Sequence, residues 1–424
     1  MTNNNIAIRA NIFHFLNKDT YEFIEDGLLV VINGIVEEIG PANKLMKKWD
    51  GIISILDRKG KLLLPGFVDG HIHAVQTGII ASYGAQLLEW LENYTFPYES
   101  RFQDIGFSKE SINFFFNEML KNGTTTAAIY SSIHKESIIS IFEKGAELNM
   151  RIIAGKTNMD RNAPANLLED TKSTLEISEQ LIEKYHKHKR ISYAITPRFA
   201  ITSTKKQLQE LGELKNRYPN LHVQTHISEN VEEIKAVKEL YPERRDYLDV
   251  YEHYGLIGKT SLLGHGIHFS QSEWERVKTS KASLVHCPTS NLFLGSGLFN
   301  LQKCLDMDIP VALGSDVGGG TSFSMLKTAA AAYQVASLKG FKPDVFIMFY
   351  LLTLGGASAL DLSDKIGNFQ KGKEADFVLI DLEKQEVLAQ RIKESNTLKE
   401  KLFALMMLGD ERNIDEVYLM GLRV

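Results

Sequence analysis

The sequence predicts an α/β protein: a (β/α)8, TIM-like barrel joined to a small β-sandwich built from both chain ends. Three features carry that expectation. From residue 65 onward, short apolar runs alternate with amphipathic stretches eight times over about 300 residues. Histidines and acidic residues stand just after most of those runs, as they do on the C-terminal face of a barrel. Both ends of the chain read instead as consecutive strands. The expected division is residues 1–64 with 366–424 for the sandwich and 65–365 for the barrel.

Taken in order, Ile6 to Ile8 and Leu28 to Ile32 are β-rich runs, and Asn33-Gly34 before Ile35-Val36 is a strong hairpin signal. Ile53 to Leu56 and Leu62 to Leu64 are further short strands. The barrel strands expected are Phe67 to His73, Thr124 to Tyr130, Arg151 to Lys156, Ile191 to Pro197, His222 to His226, Ser261 to Gly264, Ala282 to His286 and Pro310 to Gly314. Lys135 to Leu148, Leu175 to Tyr185 and Thr321 to Leu338 are helical between them. A doubly wound open sheet is the alternative, and the polar residues after almost every strand favour the barrel. The tail returns to strands at Ala375 to Ile380, Glu416 to Leu419 and Leu422 to Val424, with Met420-Gly421 as a turn. Lys393 to Lys401 reads as a solvated helix face.

The chain has 424 residues, 44% hydrophobic and 24% charged, enough for a large core. A net charge of -5 gives no electrostatic reason to expect nucleic acid or an anionic membrane. Two cysteines, Cys287 and Cys304, cannot form a disulfide framework and suit a reducing cytoplasm. No signal peptide or apolar run of membrane-spanning length is expected.

Chemistry centres on Pro65-Gly66-Phe67-Val68-Asp69-Gly70-His71-Ile72-His73. Residues two apart on a strand point the same way, so His71 and His73 can share a pocket. His226, His265 and Asp316 hold the same relative place after later strands. Each alone reads equally as a packed histidine or a capping aspartate. Together at strand ends, three histidines and a carboxylate suit a catalytic zinc with an open position.

With these residues goes a resemblance. The Pro65 to His73 strand, His226, His265 and Asp316 resemble the amidohydrolase superfamily. Leu87 to Pro97, Thr196-Pro197-Arg198-Phe199, His286 to Leu292 and Gly314 to Gly320 resemble its guanine deaminase family. The resemblance implies one divalent ion per subunit, zinc or in its place Fe2+, held by His71, His73, His226 and Asp316. Two-metal members bridge their ions with a carboxylated lysine after strand four, where this chain has Arg198. Lys156, on strand three, reads as a buried ion-pair partner.

The implied reaction is deamination of guanine to xanthine. Bound zinc lowers the pKa of its water from about 15.7 to about 7. Asp316 takes a proton, His265 steadies the nucleophile, and Glu229 protonates N3 as C2 is attacked. Gln76, Arg198 and Phe199 are implied guanine contacts; Trp90 either walls the base or packs in the core. Gly84 to Pro97 is expected as a long loop acting as a lid. His268 is expected to face away or pack, His286 to help shape the pocket without binding the metal, Cys287 to pack, and Gly318 to Gly320 to make room beside the ligand. A homodimer in the cytoplasm completes the expectation. The alternatives are a deaminase or dechlorinase of another aminated heterocycle, such as 8-oxoguanine, a pterin, an adenosine derivative or a triazine, and a scaffold without catalysis.

Overall fold

The computed structural model describes residues 4–83 and 86–424. The chain opens with β1 (Ile6–Asn17), β2 (Thr20–Ile32) and β3 (Ile35–Pro41), an antiparallel meander. Asn33 and Gly34 take φ of 52° and 79°, the left-handed pair that a two-residue hairpin turn requires. β4 (Ile55–Pro65) runs parallel to β1 and joins the two expected runs into one strand.

The barrel strands follow as β5 (Phe67–His73), β6 (Thr124–Tyr130), β7 (Arg151–Gly155), the two-residue β8 (Thr157–Asn158), β9 (Ile191–Pro197), β10 (His222–Ile227), β11 (Ser261–His265), β12 (Ser283–His286) and β13 (Val311–Leu313). They pair in parallel in the order β5-β6-β7-β9-β10-β11-β12-β13, with β8 beside β9. The ring closes at its upper end, where Asp316 N donates to His71 O at 2.8 Å. Gly70 permits that closure, since a Cβ there would meet Ala312 Cβ at 2.6 Å. The interior is filled by small or branched side chains: Val68, Ala128, Ile153, Ala194, Val285 and Ala312. Ala357, Leu360 and Ile366 join that cluster from below, and Leu360 O lies 3.0 Å from His222 Nε2 at the start of β10.

The tail supplies β14 (Phe377–Ile380), β15 (Ile414–Leu419) and β16 (Leu422–Arg423). β14 pairs antiparallel with β4, so the two chain ends meet as expected. They meet in one continuous mixed sheet of order β16-β15-β14-β4-β1-β2-β3. Buried ion pairs tie this sheet to the barrel. Arg190, just before β9, donates to Asp376 and to Glu374, which also accepts from Arg151 Nε at 2.7 Å.

Three local expectations need correction. The helix expected from Leu175 begins at Thr171, because the Asp170 side chain accepts from Ser173 N and starts it a turn earlier. The one expected from Thr321 begins at Met325, capped by Ser324. Residues 393–401 are no single helix face: one helix ends at Lys393, and Thr397 caps the next, Leu398–Leu408, in a reciprocal bond with Glu400. Among the described residues no helix is long and apolar enough to cross a membrane.

Candidate active site and metal centre

β5, β10 and the turn after β13 converge at the upper mouth. His71 Nε2 and His73 Nε2 lie 3.2 Å apart, and His73 Nε2 and His226 Nε2 3.1 Å. Asp316 Oδ1 is 3.4 Å from His71 Nε2 and 3.3 Å from His73 Nε2. Ligands about 2.0–2.1 Å from a tetrahedral ion stand ~3.3 Å from one another. The four donors therefore fit a metal ion, and imidazole with carboxylate donors suits zinc.

Protonation agrees with that use. The Nδ1 of His226 donates to Arg198 O at 2.7 Å, leaving its Nε2 lone pair facing the cluster. Burial lowers His71 to about 4, keeping it neutral as a ligand must be. Burial alone would raise Asp316, but His71 and His73 overcome it and hold the carboxylate well below its usual range.

Above the cluster lies a cavity whose wall includes Gln76, Trp90, Arg198, Phe199, Glu229 and His265. Glu229 is pushed up to about 7, chiefly by burial, into the range of a group that shuttles protons near neutrality. Its Oε2 lies 3.4 Å from His265 Nε2, and Asp316 Oδ2 lies 3.8 Å from the same nitrogen. Burial opposes charge on His265, yet these two carboxylates raise its pKa. Trp90 is both core and wall: it is 2% exposed, and its Nε1 has no partner in the protein among the described residues.

The structure thus gathers every candidate residue around one mouth. The lid differs from the loop expected. Gly84 lies outside the described residues, while Leu87–Glu99 is a run of helical turns with a π turn at Leu91–Thr95. Pro97 cannot donate to a carbonyl four residues back, and the extra residue of a π turn accommodates it. The insertion also keeps Trp90, Leu91, Phe96 and Glu99 on the buried side. Lys156 is buried against Glu169, away from the cluster. His286 is fully buried, stacked on Phe299 at 4.4 Å, and His268 lies 2.8 Å by its Nε2 from Ser296 O.

Sequence reasoning missed the residues that hold this set in place. Asn291 Oδ1 accepts from His265 Nδ1 at 2.8 Å, and Ser296 Oγ donates to Glu229 Oε1 at 2.9 Å. Asp69 accepts from the backbone of both His71 and Ser315, joining the first barrel strand to the turn that carries Asp316. Tyr130 lies under His73, ring centroids 4.7 Å apart. Glu99, fully buried, accepts from both Gln76 and Arg198. Asp69 and Asn291 stand inside quoted motifs, which was a signal; Glu99 had none beyond two residues' distance from one.

A parallel barrel with three histidines and an aspartate at its C-terminal mouth defines a metal-dependent hydrolase. The amidohydrolase family profile matches residues 62–424, and the chain belongs to that family. The chain is 47% identical to the guanine deaminase of Escherichia coli (strain K12) over 94% of its own length and 91% of that protein's. The solved E. coli guanine deaminase superimposes with a TM-score of 0.97 at 44% identity, covering 99% of each chain. A guanine deaminase from C. acetobutylicum, solved with guanine in its active site, superimposes with a TM-score of 0.92 at 33% identity, covering 99% of this chain and 100% of that one.

Proposed function

We propose that this protein is a zinc-dependent guanine deaminase, which hydrolyses guanine to xanthine and ammonia. The observation that carries the reading is the joint placement of Glu229, His265 and Asp316 around one four-donor cluster, with Arg198 and Gln76 on the wall of the same cavity. The E. coli relative supports the same assignment.

His71, His73, His226 and Asp316 would hold the zinc ion, which when bound would supply the Lewis acidity that makes water a nucleophile near neutral pH. Phe199 and Trp90 wall the flat base. Arg198 donates to O6, its guanidinium fixed above the Phe96 ring at 5.5 Å. Asp316 Oδ2 accepts a proton from the attacking water, and His265 Nε2, with Nδ1 committed to Asn291, faces the nucleophile and stabilises its charge. Glu229 delivers a proton to N3 while the water oxygen bonds to C2. The C2–N bond then breaks as Asp316 returns its proton to the departing nitrogen to give ammonia, the C2 hydroxyl gives its proton back to Glu229 as it becomes a carbonyl, and xanthine is left. A homodimer in a reducing cytoplasm belongs to the same proposal; the two buried free cysteines, Cys287 and Cys304, support the reducing setting.

The test follows ammonia release from guanine, 8-oxoguanine, pterins, adenosine and triazines by the metal-loaded, chelated and zinc-restored protein, with elemental analysis alongside. Guanine is expected to turn over fastest, activity to vanish on chelation and zinc to restore it. A loaded protein that releases no ammonia from guanine sinks the reading.

A further inference from the structure

Glu99 is fully buried and is not part of the cavity wall, yet it touches both residues assigned to reading the base. Its Oε1 accepts from Gln76 Nε2 at 2.9 Å and its Oε2 from Arg198 Nη1 at 2.6 Å. From this geometry, and resting on the proposed deaminase function, we infer that Glu99 is a positioning residue that sets the hydrogen-bond polarity of the pocket and thereby selects oxopurines over aminopurines.

A carboxylate offers acceptors only, so the neighbouring amide must turn its nitrogen toward it. Gln76 is thereby oriented with Oε1 on the other side, against Gly318, and among the described residues no protein group donates to that oxygen. Gly318 has φ of 117° and no space for a side chain, which would collide with the amide. With Nη1 committed to Glu99, Arg198 keeps its other N–H groups for a ligand, and its backbone oxygen is held by His226. The two side chains meet on one carboxylate, so the edge they offer reads donor, from Arg198, then acceptor, from Gln76. That pair complements a carbonyl beside a ring N–H, the O6 and N1–H of an oxopurine. An aminopurine puts an amino group and a bare nitrogen at those positions, so donor meets donor and acceptor meets acceptor. Buried mismatches of that kind discriminate by ~10^2-fold or more.

Glu99→Gln tests this directly. The new amide can donate, so Gln76 is free to flip and offer its own N–H to the ligand. On zinc-loaded protein with metal content and Tm measured, KM for guanine is expected to rise about tenfold or more with kcat little changed. The kcat/KM preference for guanine over 2,6-diaminopurine, which differs from it at those two positions, should fall by at least about tenfold. Glu99→Asp, which retains both acceptors, should recover part of the preference; it also carries the test if Glu99→Gln does not fold. Calorimetric binding of hypoxanthine and adenine reads the same edge without the group that is removed. If wild type turns over no guanine but binds hypoxanthine well above adenine, and Glu99→Gln loses that difference, the proposed function falls and this inference stands. An unchanged preference in folded, zinc-loaded Glu99→Gln, or equal losses of kcat/KM on both rings, overturns it.

Discussion

The two ends of the barrel are built to opposite rules. At the upper end, Ser228, His265 and Asp316 hold φ of 49°, 70° and 50°, a region where a side chain costs energy. Buried polar atoms there, among them Trp90 Nε1, His265 Nε2 and Asn291 Nδ2, have no hydrogen-bond partner within the described protein. At the lower end, Arg190 pairs with the buried Asp376, Arg190 and Arg151 share the part-buried Glu374, and Asp376 also accepts from Met420 N at 2.9 Å. Burial alone would raise Glu374, but the two arginines hold it below the usual carboxylate range. The difference teaches where the fold keeps its unspent interactions. At the mouth, strain and unpaired polarity lie where an ion and a base can use them, and the ion pairs at the opposite end add stability.

The largest expected effect comes from breaking the upper end. Glu229→Gln should lower kcat by about three orders of magnitude, equivalent to about 4 kcal/mol. Zinc content should not change, because Glu229 lies outside the His71, His73, His226 and Asp316 set. Stability should hold or rise, since burial already penalises charge at this carboxyl. Steady-state kinetics with Tm and metal analysis checks all three; a kcat within tenfold of wild type removes Glu229 from the mechanism.

The lower end should behave in the reverse sense. Asp376→Ala leaves Arg190 buried with part of its charge unmatched, which costs about 3–5 kcal/mol. Activity per folded molecule should stay within twofold, as the clamp lies at the opposite end of β9 from Arg198. Denaturant unfolding beside kcat separates the two; a loss of kcat without loss of stability contradicts the division of labour.

Much of this contrast is legible in the chain because it is local. Thr124 to Tyr130 reads as a strand from its composition alone and spans the residues expected. The spacing of His71 and His73 places both on one side of β5, and Asn33-Gly34 announces its turn. What is not legible is pairing at long range. Glu99 meets partners 23 and 99 residues away, and no periodicity points to either. The lid reads as a loop because its buried positions, with a π turn between them, break the helical period. Asp69 stands in the most recognisable stretch of the sequence, yet its role follows only once the barrel has closed and brought Ser315 to it.

The smallest expected effect sharpens the comparison at the barrel floor. Burial lowers His222 to about 4, against an ordinary value of 6.5, while its bond to Leu360 O opposes the shift. The folded state thus refuses a proton that the unfolded chain accepts below pH 6.5. By linkage, the contribution is fully present above that pH and is lost as pH falls toward 4. The loss is about 0.8 kcal/mol at pH 6 and about 2 kcal/mol at pH 5. His222→Gln keeps a side-chain donor for Leu360 O and has nothing to titrate. Its stability should therefore fall less steeply than wild type between pH 6.5 and 4, by those amounts, whatever the other buried histidines contribute to both proteins. Urea unfolding of the pair at pH 7, 6 and 5 gives the difference; parallel curves mean that His222 takes up its proton as readily folded as unfolded and that the floor is less closed to charge than its packing implies.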